Sequence, residues 1–210
     1  MRIPYAPTTP PSSAPPSTHS TYTAISNRRS PRPLQPLDLA LLHNPQIANG
    51  WNSLLSALRT ATTLPQAHLE LAVSRIAVLT GATYEWRAHS KLALKEGVGR
   101  EVLRKVLEAG REGVVEGLQG VQGAVVAFAE RSTRGVEVGE GVWGDVRRGF
   151  EEEVVAKGEV EGEEMGAIVD RMMMELTCCV AGYNMVSRFL VGLDVGEANG
   201  EEMVLPEVEA

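Results

Sequence analysis

The stretch Glu70-Leu71-Ala72-Val73-Ser74-Arg75-Ile76-Ala77-Val78-Leu79-Thr80-Gly81-Ala82-Thr83-Tyr84-Glu85-Trp86-Arg87-Ala88-His89 decides the fold. Leu69, Ala72, Val73, Ile76 and Ala77 recur at three-four spacing, the buried stripe of an amphipathic helix. Thr63-x-x-Gln66 reads as a capping box ahead of it, Pro65 suits a first turn, and Gly81 supplies the stop. Glu70 falls at the margin of the stripe, where partial burial is expected. A second helix is predicted over 83–96, ending at Gly97, and on it Glu85 and His89 stand four apart and share a face. Two helices joined by a short glycine turn can bring Glu70 to the same spot.

The same pattern continues on both sides. Residues 1 to about 21 are rich in Pro, Ser and Thr and offer little apolar surface to offset ordering entropy, so disorder is expected there. A flexible arm is assigned to 1–35. Asp38 reads as the cap of a short turn through Leu39, Leu41 and Leu42, stopped by Asn44-Pro45. Trp51, Leu54, Leu55 and Leu58 mark an amphipathic helix. Downstream, Val102, Leu103, Val106 and Leu107 form a helix ending at Gly110. Val114, Leu118, Val121, Val125 and Phe128 keep helical register through 112–134, although the glycines there each cost roughly 1 kcal/mol relative to Ala. A loop is predicted at 135–141, a short helix through Val142, Trp143, Val146 and Phe150, and a long helix over about 160–191. No segment alternates as a strand does, so the fold is read as all-α, one helical domain over 36–195 with an acidic, frayed tail over 196–210.

Composition narrows the function. With 210 residues, 43% of them hydrophobic, the chain can bury one good core. The net charge is −7, and the four arginines of the acid-free arm leave −11 on residues 38–210. An acidic body disfavours nucleic acid, whose phosphates require clustered Lys and Arg. No uninterrupted apolar run reaches the roughly 18–20 residues that cross a bilayer, so no membrane partner is expected. The two cysteines, Cys178 and Cys179, are neighbours, point about 100° apart on a helix and read as two buried core thiols. No disulfide framework is possible, which fits a reducing compartment, and a cytoplasmic location is expected. The basic arm also resembles an organellar import sequence, although its prolines oppose the required helix. His43 and His68 lack partners at zinc spacing, so no metal site is expected.

The window's spacing, from Glu70 through Ala82, Glu85 and His89, resembles the core motif of the carboxymuconolactone decarboxylase and alkylhydroperoxidase D-like superfamily. So do Pro36-Leu37-Asp38, Gly50-Trp51, Leu64-Pro65, Tyr84-Glu85-Trp86-x-x-His89, Glu175-Leu176-Thr177 and Tyr183-Asn184-x-x-Ser187-Arg188-Phe189, which are similar to its fungal-type members. The resemblance implies an alkylhydroperoxidase D-like helical fold that assembles as a homo-oligomer, with sites bordered by neighbouring subunits. In the peroxidase branch, the positions of Ala82 and Glu85 hold a Cys-x-x-Cys pair. A thiolate is the nucleophile of that chemistry and neither residue can supply one, so that route is excluded unless Cys178 or Cys179 substitutes.

The decarboxylase branch implies a cofactor-free lyase or isomerase acting on a small anionic lactone or aromatic-derived metabolite. Such chemistry requires an acid or base near neutral pKa and a place for a developing enolate. His89 is the natural proton shuttle. Glu85 can orient it or act itself if burial raises its pKa, and Glu70 completes the set. Arg75, Arg87 and Arg188 are the candidate partners for the substrate's charge. Tyr84, Trp86 and Asn184 are candidate substrate contacts, though Tyr84 and Trp86 read more readily as core packing. The competing expectations are a non-catalytic helical oligomer that binds a ligand, in which Glu85 and His89 are only an i,i+4 pair, and a peroxidase-like protein with a degenerate redox site.

Overall fold

The computed structural model describes residues 1–158 and 162–207. Among them are nine α-helices, a 3-10 turn and no strand. In chain order they are α1 (Pro16–Arg29), α2 (Pro36–Leu41), α3 (Pro45–Thr60), α4 (Gln66–Thr80), α5 (Thr83–Lys95), α6 (Arg100–Glu108), α7 (Gly120–Gly135), α8 (Glu140–Lys157) and α9 (Gly162–Leu193), then the turn Val195–Glu197. Residues 160–161 of the expected last helix, and 208–210 of the tail, lie outside the described residues.

Helix α4 is the axis of the molecule. It is buried without a break from His68 to Leu79, because α5, α6, α7 and α9 pack around it. The three-four stripe is only one side; Leu71, Val78 and Leu79 on the others pack inward too, and the buried Glu70 and Arg75 are paired, so no face is left to solvent. Its C-terminus closes as expected: Gly81 takes φ +72°, and the Ala82 N–H donates to the Ala77 carbonyl at 2.9 Å. Its N-terminus does not use the expected capping box. The Thr63 hydroxyl and N–H and the Leu64 N–H all donate to Glu175 Oε2 at 2.8–3.0 Å. A carboxylate from α9 thus outcompetes the local cap, since a charged acceptor binds more strongly than a side-chain amide.

Helix α9 is long and apolar enough to cross a membrane by length and composition, with a mean hydropathy of 1.3 over its most apolar window. Half of that window is buried inside the fold, against α3, α4, α7 and α8. Asp170, Arg171 and Glu175 interrupt it. Of the two thiols, Cys179 is buried and Cys178 is exposed, so only one is a core residue.

Four segments depart from their sequence reading. Part of the arm is helical: α1 buries Tyr22 and Ile25 against Leu41, Leu42 and Ala48, giving a Pro/Ser/Thr-rich stretch the apolar partners it lacks on its own. Asp38 sits inside α2 at its third position and accepts from the Gln35 N–H at 2.8 Å and from Arg29 at 2.8 and 2.9 Å. The helix expected from residue 112 begins only at Gly120. Ahead of it the chain turns so tightly that a Cβ on Gly113 would meet the Ala109 carbonyl oxygen at 2.3 Å. The Arg75 guanidinium anchors this turn, donating to the carbonyls of Val106, Gly110 and Gly113 and to Glu130. Finally, the tail is not frayed between 198 and 207. It packs along α5 and α6, where the Trp86 indole N–H donates to the Val204 carbonyl at 2.8 Å and Thr83 to that of Glu201 at 3.1 Å. Met203 and Leu205 cover the apolar cluster of Trp86, Leu103 and Val106.

Candidate active site

The α4–Gly81–α5 hairpin brings Glu70 and His89 together. Glu70 Oε2 lies 2.5 Å from His89 Nδ1, and both residues are buried, at 2% and 7% exposure. A carboxylate can only accept, so Nδ1 carries the hydrogen and Nε2 is left with the lone pair of the neutral ring. Among the described residues, Nε2 has no hydrogen-bond partner. The imidazole is held from the side by Tyr183 of α9, edge to face at 4.9 Å between centroids. The other Glu70 oxygen faces Arg59 of α3 at 3.6 Å. Glu70 is therefore flanked by a cation and by an imidazole N–H, which offset the cost of burying its charge.

His89 lines a cavity of about 940 Å³. Its floor and walls come from α3, α5 and α9, and it is covered by α1, α2 and the turn at Gly196-Glu197. Trp51, Leu55, Leu37, Leu41, Ile25 and Val186 supply apolar surface. Its rim is rich in cations, among them Arg28, Arg32, Arg87, Lys91 and Lys95. A concave, mostly apolar site with a few convergent polar groups is the usual form of a small-molecule site.

Glu85 takes a different place from the one expected. It shares the face of α5 with His89 but makes no hydrogen bond to it and is not part of the cavity wall. Its Oε1 accepts from the Ser187 hydroxyl of α9 at 2.6 Å, and its Oε2 is buried with no partner. Burial pushes its carboxyl up to about 8, with the nearby Glu70 charge adding to the rise and the Ser187 hydroxyl opposing it. At neutral pH Glu85 is thus a protonated acid one helical turn from His89. Burial likewise raises the Cys179 thiol, so it is not a thiolate at neutral pH.

The other proposed contacts divide sharply. Tyr84 lines the cavity, and so does Arg87, which is paired with Glu201 of the tail. Trp86 is fully buried beneath the tail, away from the cavity. Arg75 is fully buried and committed to Glu130 and three carbonyls, leaving no donor for a substrate. Arg188 donates to the Asn184 carbonyl and side-chain oxygen, and the Asn184 amide donates to Thr133; neither residue reaches the cavity. Sequence reasoning missed Arg59 and Asn52. Both stand on α3 with Leu55 at spacings of three and four, but no motif distinguishes them from solvated residues of an amphipathic helix.

Residues 45–113 match the model of the Carboxymuconolactone decarboxylase family. That segment belongs to the carboxymuconolactone decarboxylase superfamily. It runs from α3 to the turn after α6 and so contains Asn52, Arg59, Glu70, Glu85 and His89. No curated protein and no solved structure matches the chain. Within the matched segment, Ala82 stands at the residue before α5 and Glu85 in its first turn, so the hairpin carries no thiol.

Proposed function

We propose that the protein is a cofactor-free lyase or isomerase of the carboxymuconolactone decarboxylase-like class, acting on an anionic lactone or aromatic-derived acid. The observation that carries this reading is the Glu70–His89 contact at the edge of a large cavity. Nδ1 is tied down, and Nε2 is the nitrogen available to a ligand. In an isomerisation, Nε2 takes the proton from a carbon next to the substrate carbonyl, and the resulting imidazolium returns it at another carbon of the enolate. In a decarboxylation, the C–C bond to the carboxylate breaks, carbon dioxide leaves, and the electron pair stays as an enolate. Nε2, having taken up a proton from solvent, then delivers it to that enolate. Neither route requires an oxidant or reductant. Glu70 holds the ring and stabilises the imidazolium, as a buried carboxylate does for other catalytic histidines. The cations of the rim and Arg59 favour an anionic substrate.

The test is turnover of a panel of lactones and aromatic acids by wild type and by His89→Ala, followed by NMR. A compound consumed by wild type is expected to be turned over at least about 100-fold more slowly by the variant, the usual contribution of general acid–base catalysis. Equal turnover by the two proteins would remove His89 from the chemistry.

A further inference from the structure

The shape and unsatisfied groups of the cavity define its ligand more closely than net charge does. On α3, Asn52, Leu55 and Arg59 stand at i, i+3 and i+7 and therefore share the face that looks into the cavity. Arg59 is about a third exposed, and among the described residues its only ionic partner is Glu70, at 3.6 Å. That distance lies beyond a hydrogen bond, so the guanidinium fork remains open to a carboxylate. Asn52 Oδ1 is a buried acceptor without a donor. A ligand that fills the space beside it must bring an O–H or N–H, or leave the acceptor desolvated and unpaired. Between and around these two groups lie the Trp51 indole, Leu55 and Val186, a surface suited to rings or branched carbon rather than to a second charge. The volume, about 940 Å³, is at the upper end of sites that enclose drug-sized ligands. A compact lactone of a few carbons would occupy only part of it.

We infer that the site takes an amphipathic hydroxy-acid: one carboxylate on Arg59, a fused-ring or similarly bulky apolar body along Trp51 and Leu55, and a hydroxyl donating to Asn52 Oδ1. The inference rests on the cavity being the substrate site, but it concerns binding and not turnover, so the two are separable. In this pose the ligand lies beside His89, whose Nε2 opens into the same space. Asn52 and Arg59 are the residues that set specificity.

The experiment is titration calorimetry of the full chain with 4-hydroxybenzoate, 6-hydroxy-2-naphthoate, its methyl ester, 2-naphthoate and succinate. The expected order places 6-hydroxy-2-naphthoate first, with 4-hydroxybenzoate weaker and succinate weakest. Loss of the hydroxyl in 2-naphthoate is expected to weaken binding about tenfold, and esterification about 10- to 100-fold. Arg59→Gln should abolish the preference for acid over ester, and Arg59→Lys should restore part of it. Asn52→Leu should abolish the preference for the hydroxy-acid over 2-naphthoate. The titration reads binding without turnover, so failed catalysis would not be mistaken for failed binding. Succinate binding as tightly as the naphthoate, no binding of either naphthoate at millimolar concentration, or an acid-to-ester ratio unchanged in Arg59→Gln would each overturn the inference.

Discussion

Glu85→Gln changes how stability depends on pH. The Glu85 carboxyl is buried and lifted from 4.5 to about 8, chiefly by burial. The folded protein therefore keeps a proton that the unfolded chain has released throughout that window. For an acid with a raised folded-state value, this contribution is fully present below about pH 4.5 and is lost as pH climbs to about 8. One proton difference corresponds to about 1.4 kcal/mol per pH unit, which sets a ceiling on the order of 5 kcal/mol across the window. Glutamine is neutral at every pH, and its Oε1 can still accept from Ser187. Its extra N–H donors add a pH-independent cost of about 1–3 kcal/mol if they find no partner. The variant should accordingly be less stable than wild type in acid, gain on it steadily with rising pH, and hold a constant difference above about pH 8. Urea unfolding followed by helical circular dichroism, at fixed protein concentration from about pH 5 to pH 9, reads this directly. Parallel stability curves across the window would mean that Glu85 is ionised in the fold, and the reasoning about its burial would be refuted.

Other perturbations test the supports of the site. Glu175 is opposed by burial, but Arg171 and the donors of Thr63 and Leu64 outweigh it and hold its carboxyl below the ordinary range. Glu175→Ala should cost about 3 kcal/mol in chemical denaturation at neutral pH, a loss that shrinks as acid protonates the wild-type carboxylate; an unchanged midpoint would refute that assignment. Arg75→Met leaves Glu130 buried without its cation and should cost about 3–5 kcal/mol. Its signature is faster hydrogen exchange at residues 110–119, and unaltered exchange there would contradict the anchoring role. Gly196→Ala puts a Cβ 2.5 Å from the Tyr84 ring at a φ of +73°. It should lower stability by about 1–3 kcal/mol and shift the aromatic NMR signals of Tyr84 at the cavity wall; wild-type stability and spectra would show that the turn adapts.

The α4–α5 hairpin was legible because its signals are local: a three-four stripe, a glycine stop, and Glu85 and His89 one turn apart. The pairing of Glu70 with His89 was legible for the same reason, since a short turn between two helices leaves few ways to align them. What escaped the sequence depends on distant partners. Thr63 looked like a cap until Glu175, more than a hundred residues later, took its donors. Arg75 looked like a substrate cation because its spacing on α4 says nothing of the turn it holds at Gly110 and Gly113. Tyr22 and Ile25 are too few to signal a helix by periodicity, and only the apolar groove between α2 and α3 gives α1 a place. The same reasoning explains Glu85. Periodicity puts it on the face of His89, but the nearest hydroxyl, Ser187, draws it toward α9 and out of the cavity. Arg59 and Asn52 belong to the cavity only because α3 crosses its floor, which no local pattern encodes.

Everything proposed for the site depends on Glu70 fixing His89 with Nδ1 protonated and Nε2 open to the ligand cavity. Long-range proton–nitrogen NMR of the imidazoles at alkaline pH, before and after addition of 6-hydroxy-2-naphthoate, reads both features. The expected His89 spectrum has hydrogen on Nδ1, a bare Nε2 whose shift moves on addition of the acid, and no tautomer preference in Glu70→Gln. A hydrogen found on Nε2, or a His89 spectrum untouched by both the acid and the substitution, would contradict it.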